Sequence, residues 1–203
     1  MPYLLHSTKQ EFLILGNAAA YDIPVDTMYL RDQLPTKNGI ITENIVSEFQ
    51  KSLYGFKPHA IQRAIDSGYK KIIWLDPSAL PTVLMQVLID SLDEHPMIVR
   101  IGDNPLSKMC NKKALAWFET DELEIRNEKH IGGTVYAFNF NDPKTVEVFN
   151  SWKMAEENGI FGTQDDFMAG HWADEACMAL AMWEHGMPQY WEEKFTYLNQ
   201  KEL

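Results

Sequence analysis

The sequence predicts one α/β domain over residues 1–203, with a mixed, mostly parallel central sheet flanked by helices. Three observations predict it. The chain has 203 residues, 45% hydrophobic and 23% charged, which is enough to bury a sheet between helical layers. Short apolar runs of strand length alternate with longer segments of helical spacing. Residues 58–76 read in succession as helix, glycine and strand, the order of a parallel αβ unit.

Residues 11–16 form the first expected strand, stopped by Gly16 and Asn17, with a loop over 18–24. Helices are expected over 25–33 and 43–53, separated by a break at Leu34-Pro35 and Asn38-Gly39. Lys57-Pro58 opens the next helix, since proline is tolerated in a first turn. Ala60, Ile61, Ala64 and Ile65 give it an apolar face before Gly68. The strand 70–76 follows at once. A helix over 82–92, a strand over 97–101, a loop over 102–111 and a helix over 112–118 come next. The strand 134–139 is led in by Gly132-Gly133. Asp142-Pro143 opens a helix that runs to 157 and stops at Asn158-Gly159, and the last long helix covers 174–185 before Gly186.

With 18 Lys plus Arg against 29 Asp plus Glu, the net charge of -11 argues against duplex DNA and other polyanions as main partners. An anionic small molecule such as a nucleotide diphosphate would need its local field inverted, and a divalent cation is the simplest means. Cys110 and Cys177 belong to no CxxC pair, so they indicate neither a zinc site nor a disulfide framework. The first residues carry no basic segment followed by a long apolar run, and the most apolar stretch, 80–89, is too short to span a bilayer. A cytoplasmic location without a membrane segment is the expectation.

Asp76 is the strongest chemical signal. It follows the apolar run Ile72-Ile73-Trp74-Leu75 and so falls at the carboxyl edge of a buried strand, where open α/β sheets bind ligands. Pro77 and Pro81 force a turn that holds Asp76 and Ser78 toward the same crevice, as two hard oxygen donors suited to Mg²⁺ or Mn²⁺. Asp76 acting only as the cap of the following helix is the competing account. For Asp174 and Glu175, at the start of the last helix, helix capping is the plain alternative to chemistry. Solvent exposure is the same kind of alternative for Gln164-Asp165-Asp166.

Lys57-Pro58, the helix with Arg63, and Trp74-Leu75-Asp76-Pro77-Ser78 resemble the "K-P, helix, W-L-D-x-D" stretch of GT-A-fold glycosyltransferases. Gly132-Gly133-Thr134-Val135-Tyr136-Ala137-Phe138-Asn139 and the following helix with Trp152 resemble the strand and helix beneath the family's sugar donor. His171-Trp172-Ala173-Asp174-Glu175 resembles its "H-x-x-D-Q" helix opening. Together the four motifs span 55–185 in the family's order.

The resemblance implies a Rossmann-like GT-A sheet and transfer of a sugar from a nucleotide-sugar donor, uridine diphosphate by family default, to a glycan or other hydroxyl acceptor. It implies Mn²⁺ or Mg²⁺ at Asp76 and Ser78. His171 is the candidate further ligand and His185 an alternative to it. Asn17, Tyr21 and Asp22 would serve the base, and Lys57 and Trp74 the donor. Asp174 would act as base toward the acceptor and Glu175 as sugar contact, with Arg100 and Gly102-Asp103-Asn104 as lesser sugar candidates.

One departure stands out: Ser78 occupies the place of the second acid in D-x-D, which removes a formal charge from the cation site. A nucleotide-sugar-binding domain without turnover is therefore an alternative. A metal-dependent phosphohydrolase fits less well, because Asp76 comes after a strand and several helices.

Overall fold

The computed structural model describes residues 54–75, 79–81, 85–191 and 197–199, together with five short strands before residue 54; side chains are described for 54–74, 87–163 and 165–191. The early strands are β1 (Tyr3–His6), β2 (Phe12–Gly16), β3 (Asp26–Thr27), β4 (Thr36–Lys37) and β5 (Ile40–Ile41). Helix α1 (Phe56–Asp66) leads into β6 (Lys71–Leu75), followed by β7 (Ala79–Pro81), α2 (Met85–Ser91) and β8 (Met97–Pro105). A 3-10 turn (Leu106–Lys108), α3 (Lys112–Trp117) and β9 (Lys129–Asn139) come next. The described chain closes with α4 (Pro143–Glu157), α5 (Gln164–Met168), α6 (Ala173–Glu184) and β10 (Tyr197–Asn199). The helix expected over 25–33 is contradicted near its start, where Asp26–Thr27 pair as β3; the rest of it, and the helix expected over 43–53, lie outside the described residues.

The main sheet has the order β1-β3-β2-β6-β9-β8. It is mixed, as expected, but the expectation of a mostly parallel sheet needs correction. The β2–β3 and β2–β6 ladders are parallel, whereas β1–β2, β1–β3, β6–β9 and β8–β9 are antiparallel. The direction of β9 could not be read from its apolar run, because the same alternation of buried residues serves a parallel or an antiparallel neighbour. The helix-glycine-strand reading holds for α1 and β6, since β6 runs parallel to β2 with Leu15 opposite Trp74.

Side-chain alternation divides the core between the two faces of the sheet. Ile72 and Trp74 of β6, Met97 and Val99 of β8, and Tyr136 and Phe138 of β9 pack with α1, α3, α4 and α6 in the larger core. Ile73, Ile98, Val135 and Ala137 face the other way, onto Leu88, Ile89 and Leu92, with Tyr190 and Trp191 against them. The helical layer is tied together by aromatic packing around the fully buried Trp152, whose ring meets Tyr136, Phe149 and Phe161 at centroid distances of 5.7, 6.2 and 5.6 Å.

Helix ends follow local chemistry. Asp142 accepts from the Thr145 amide with Pro143 in the first turn of α4, and Asn158 and Gly159 (φ 67°) end that helix. Two strands are longer than their apolar runs suggest. β8 continues through Gly102 to Pro105, where a loop was expected, and β9 starts at Lys129 and takes in both glycines. Both thiols are free, and burial raises Cys110 to about 12.

Candidate functional site

Register places the site. Trp74 pairs with Tyr136 and Leu75 with Val135, so Gly133 lies just beyond the carboxyl end of β6. Lys57, from the first turn of α1, is 2% exposed and points into this corner. Its ammonium donates to the Gly133 carbonyl at 3.0 Å and meets Asp174 Oδ2 at 2.8 Å. Three aromatic faces surround it, with the rings of Tyr54, Tyr136 and Trp74 at 5.1, 5.5 and 5.8 Å from Nζ.

Asp174 stands in the first turn of α6, where exposed amides and the helix dipole favour a carboxylate. It is 1% exposed. The Tyr136 hydroxyl donates to the same Oδ2 at 3.1 Å, and Trp152 Nε1–H donates to the Asp174 carbonyl at 2.9 Å, which pins the start of α6 onto α4. The turn into the helix is strained: Ala173 sits at φ 39°, a left-handed conformation that costs a non-glycine residue about 1–2 kcal/mol.

Glu175 faces the neighbouring edge of the same corner. Its Oε1 accepts from the Gly133 amide at 2.6 Å, and its Oε2 accepts from His130 Nε2 at 2.8 Å. The side chain keeps 20% exposure, in contrast to the sealed Asp174. Glycine is required at 133 because a Cβ there would stand 2.9 Å from both the Glu175 carboxylate and the Tyr136 hydroxyl.

The structure thus brings together Lys57, Trp74, Asp174 and Glu175, with Gly133 between them. Asn17, Tyr21, Asp22, Asp76 and Ser78 lie outside the described residues; Asp76 follows directly on Leu75, the last residue of β6. Trp74 is a core side chain at 1% exposure. His171, expected as a metal ligand, is 1% exposed and uses both ring nitrogens on the backbone: Nε2–H donates to the Ile160 carbonyl at 2.9 Å, and Nδ1 accepts from the Asn111 amide at 3.4 Å. His185 contacts Ser151 at 2.8 Å, away from this corner. Arg100 is exposed on β8 opposite Gly132.

His171 supports a prediction. Burial holds its imidazole below the ordinary 6.5. A histidine depressed in the folded state contributes stability above its unfolded value, and that stability is lost as pH falls below about 6.5, where the unfolded chain takes the proton first. The guanidinium unfolding midpoint is expected to fall between about pH 7.5 and 5.5. The fall should be smaller in His171→Gln; equal falls in both proteins would contradict this assignment.

Among the described residues, no three His, Cys, Asp or Glu side chains converge in a way that could hold a metal ion. The positive charge beside Asp174 is the Lys57 ammonium. The described residues therefore do not themselves build a cation site. Among them, no helix is long and apolar enough to cross a membrane.

No family model matches the chain, and no curated protein does. Among solved structures, the crystal structure of mouse Xyloside xylosyltransferase 1 in its apo form is similar, at 12% identity with a TM-score of 0.42. The likeness is distant. It covers 79% of this chain and 59% of that one, so this chain spans less than two thirds of that protein's length.

Proposed function

We propose that this chain is a glycosyltransferase of GT-A-like fold, moving a sugar from a nucleotide diphosphate donor to a hydroxyl acceptor. One observation carries the reading. Segments that resemble separate GT-A motifs, 76 and 42 positions apart, meet within hydrogen-bond distance at the end of β6: Lys57 on Gly133, Gly133 on Glu175, and Lys57 on Asp174.

In this proposal the two carboxylates have different tasks. On this reading Asp174 is a poor general base, because its carboxylate is 1% exposed and already held by the Lys57 ammonium and the Tyr136 hydroxyl. Its role in the proposal is to fix Lys57, Tyr136 and the start of α6. Glu175 is the carboxylate with an accessible edge. Each of its oxygens accepts one hydrogen bond and retains a lone pair for a substrate hydroxyl. The donor's diphosphate would lie toward Asp76 and Ser78. A Mn²⁺ or Mg²⁺ ion belongs to the proposal only through these two residues, with the diphosphate completing the shell. Such an ion, when bound, neutralises the leaving group. Asn17, Tyr21 and Asp22 would take the base.

A second reading, donor binding without transfer, is favoured by Ser78 in place of an acid and by the sealed Lys57–Asp174 pair. Calorimetry with a panel of nucleotide sugars tests both readings, with Mn²⁺ and then with it chelated, on the intact chain and on Asp76→Ala. One donor is expected to bind, at least about tenfold more weakly in Asp76→Ala, which is about 1.4 kcal/mol. Release of nucleoside diphosphate with an acceptor present separates transfer from binding. If no nucleotide sugar binds under any condition, the proposal fails.

A further inference from the structure

Sequence reasoning passed over His130, yet it is the residue on which the Glu175 carboxylate rests. It lies on β9, with its side chain 9% exposed. Nε2–H donates to Glu175 Oε2 at 2.8 Å while the Gly133 amide holds Oε1, so one carboxylate is clamped at both oxygens by residues of a single strand. Two further contacts fix the ring. The Trp172 ring, just ahead of α6, meets it in a T-shaped contact with centroids 5.1 Å and planes 73° apart. On the other side Gly102 of β8 lies against it: a Cβ at 102 would stand 2.2 Å from Nδ1 and 2.8 Å from Cε1. The ring is therefore wedged between an edge strand and the start of α6, and a glycine is what admits it.

The arrangement has a cost. Nδ1 is buried and has no hydrogen-bond partner among the described residues, an exception among buried polar atoms. A phenylalanine or leucine would fill the same space without leaving an unpaired nitrogen. What the imidazole adds is the single bond from Nε2 to Glu175. We infer that His130 is a positioning residue, which turns the Glu175 carboxylate toward the accessible edge of the site and so sets the affinity for a polyhydroxylated substrate. The functional half of this inference rests on the glycosyltransferase reading; the positional half does not.

The experiment reads the two halves separately. Nitrogen and amide NMR on the full chain reports the geometry: the Gly133 amide is expected far downfield, and His130 is expected as the Nε2–H tautomer. In His130→Leu the Gly133 amide should move upfield, because Glu175 loses its second anchor, and His130→Gln should restore much of the shift, since its amide can donate from a similar place. Glu175→Gln gives an independent route, moving the His130 nitrogen signals in a protein whose strand is untouched. An unmoved Gly133 amide in His130→Leu overturns the proposal. So do unmoved His130 signals in Glu175→Gln, which also decide the matter if the leucine variant does not fold.

For function, nucleotide-sugar affinity is measured by calorimetry on the same variants. His130→Leu is expected to weaken donor binding by about tenfold or more, the scale of a hydrogen bond to a charged group, with partial rescue in His130→Gln. Unchanged donor affinity in His130→Leu, with the amide shifted, overturns the substrate-affinity role. If no nucleotide sugar binds to the unmodified chain but the NMR shifts appear, the glycosyltransferase reading fails while the clamp on Glu175 stands.

Discussion

Lys57→Met is expected to lower stability by about 3–5 kcal/mol, because it strands the Asp174 carboxylate in the interior without the ammonium at 2.8 Å. Methionine keeps the length and apolar character of the stem, so the loss reports the charge and not a cavity. Asp174→Leu should be costly for the mirror reason, leaving a cation between three aromatic rings and the Gly133 carbonyl. The double variant should recover a large part of either loss, since replacing a buried ion pair by apolar side chains is far cheaper than breaking it. Guanidinium titrations of all four proteins at one pH and ionic strength give the coupling. A coupling near zero would mean that the two charges do not meet in solution.

Trp152→Ala should cost about 3–5 kcal/mol, the range for emptying a fully buried aromatic site. Its ring stands among Tyr136, Phe149 and Phe161, so the void would open at the centre of the helical layer. Trp152→Phe separates packing from polarity. It retains most of the ring contacts but removes the indole N–H that donates to the Asp174 carbonyl at 2.9 Å, a loss of about 0.5–1.5 kcal/mol for one hydrogen bond. Because that bond fixes the start of α6, the phenylalanine variant should also bind donor more weakly at temperatures where it is still fully folded. Thermal unfolding together with donor calorimetry checks both statements; a phenylalanine variant as stable as the parent would show that the indole bond contributes nothing.

How much of this was legible depends on how local the signal is. The apolar run Ile72-Ile73-Trp74-Leu75 gives β6, and Asp142-Pro143 with Asn158-Gly159 brackets α4, because caps, prolines and periodicity act over a few residues. The direction of β9 carries no such mark, since an antiparallel and a parallel strand bury the same alternating face. The extension of β8 through Gly102, Asp103 and Asn104 was hidden because an edge strand with exposed polar residues looks like a loop. Lys57, Asp174 and Glu175 could be singled out by motif, but the inward turn of Lys57 could not, because Asp174, the carboxylate it meets, is remote in sequence. His130 had only one faint signal, an imidazole ahead of a glycine pair, and its opposition to Gly102 emerges only once β8 and β9 are in register.

The placement of β9 also sets the order in which the molecule can be assembled. This strand lies between β6 and β8, both made earlier, so a growing chain that has reached about residue 128 holds two strands whose shared neighbour does not yet exist. Their facing edges stay unpaired until residues 129–139 insert, and unpaired edges are where nascent chains associate wrongly. Asp174 and Glu175 arrive later still. Contacts between residues so far apart in sequence form late, after the loop-closure cost has been met. The contact between Lys57 and Asp174 therefore closes only when α6 docks, after most of the chain has been made.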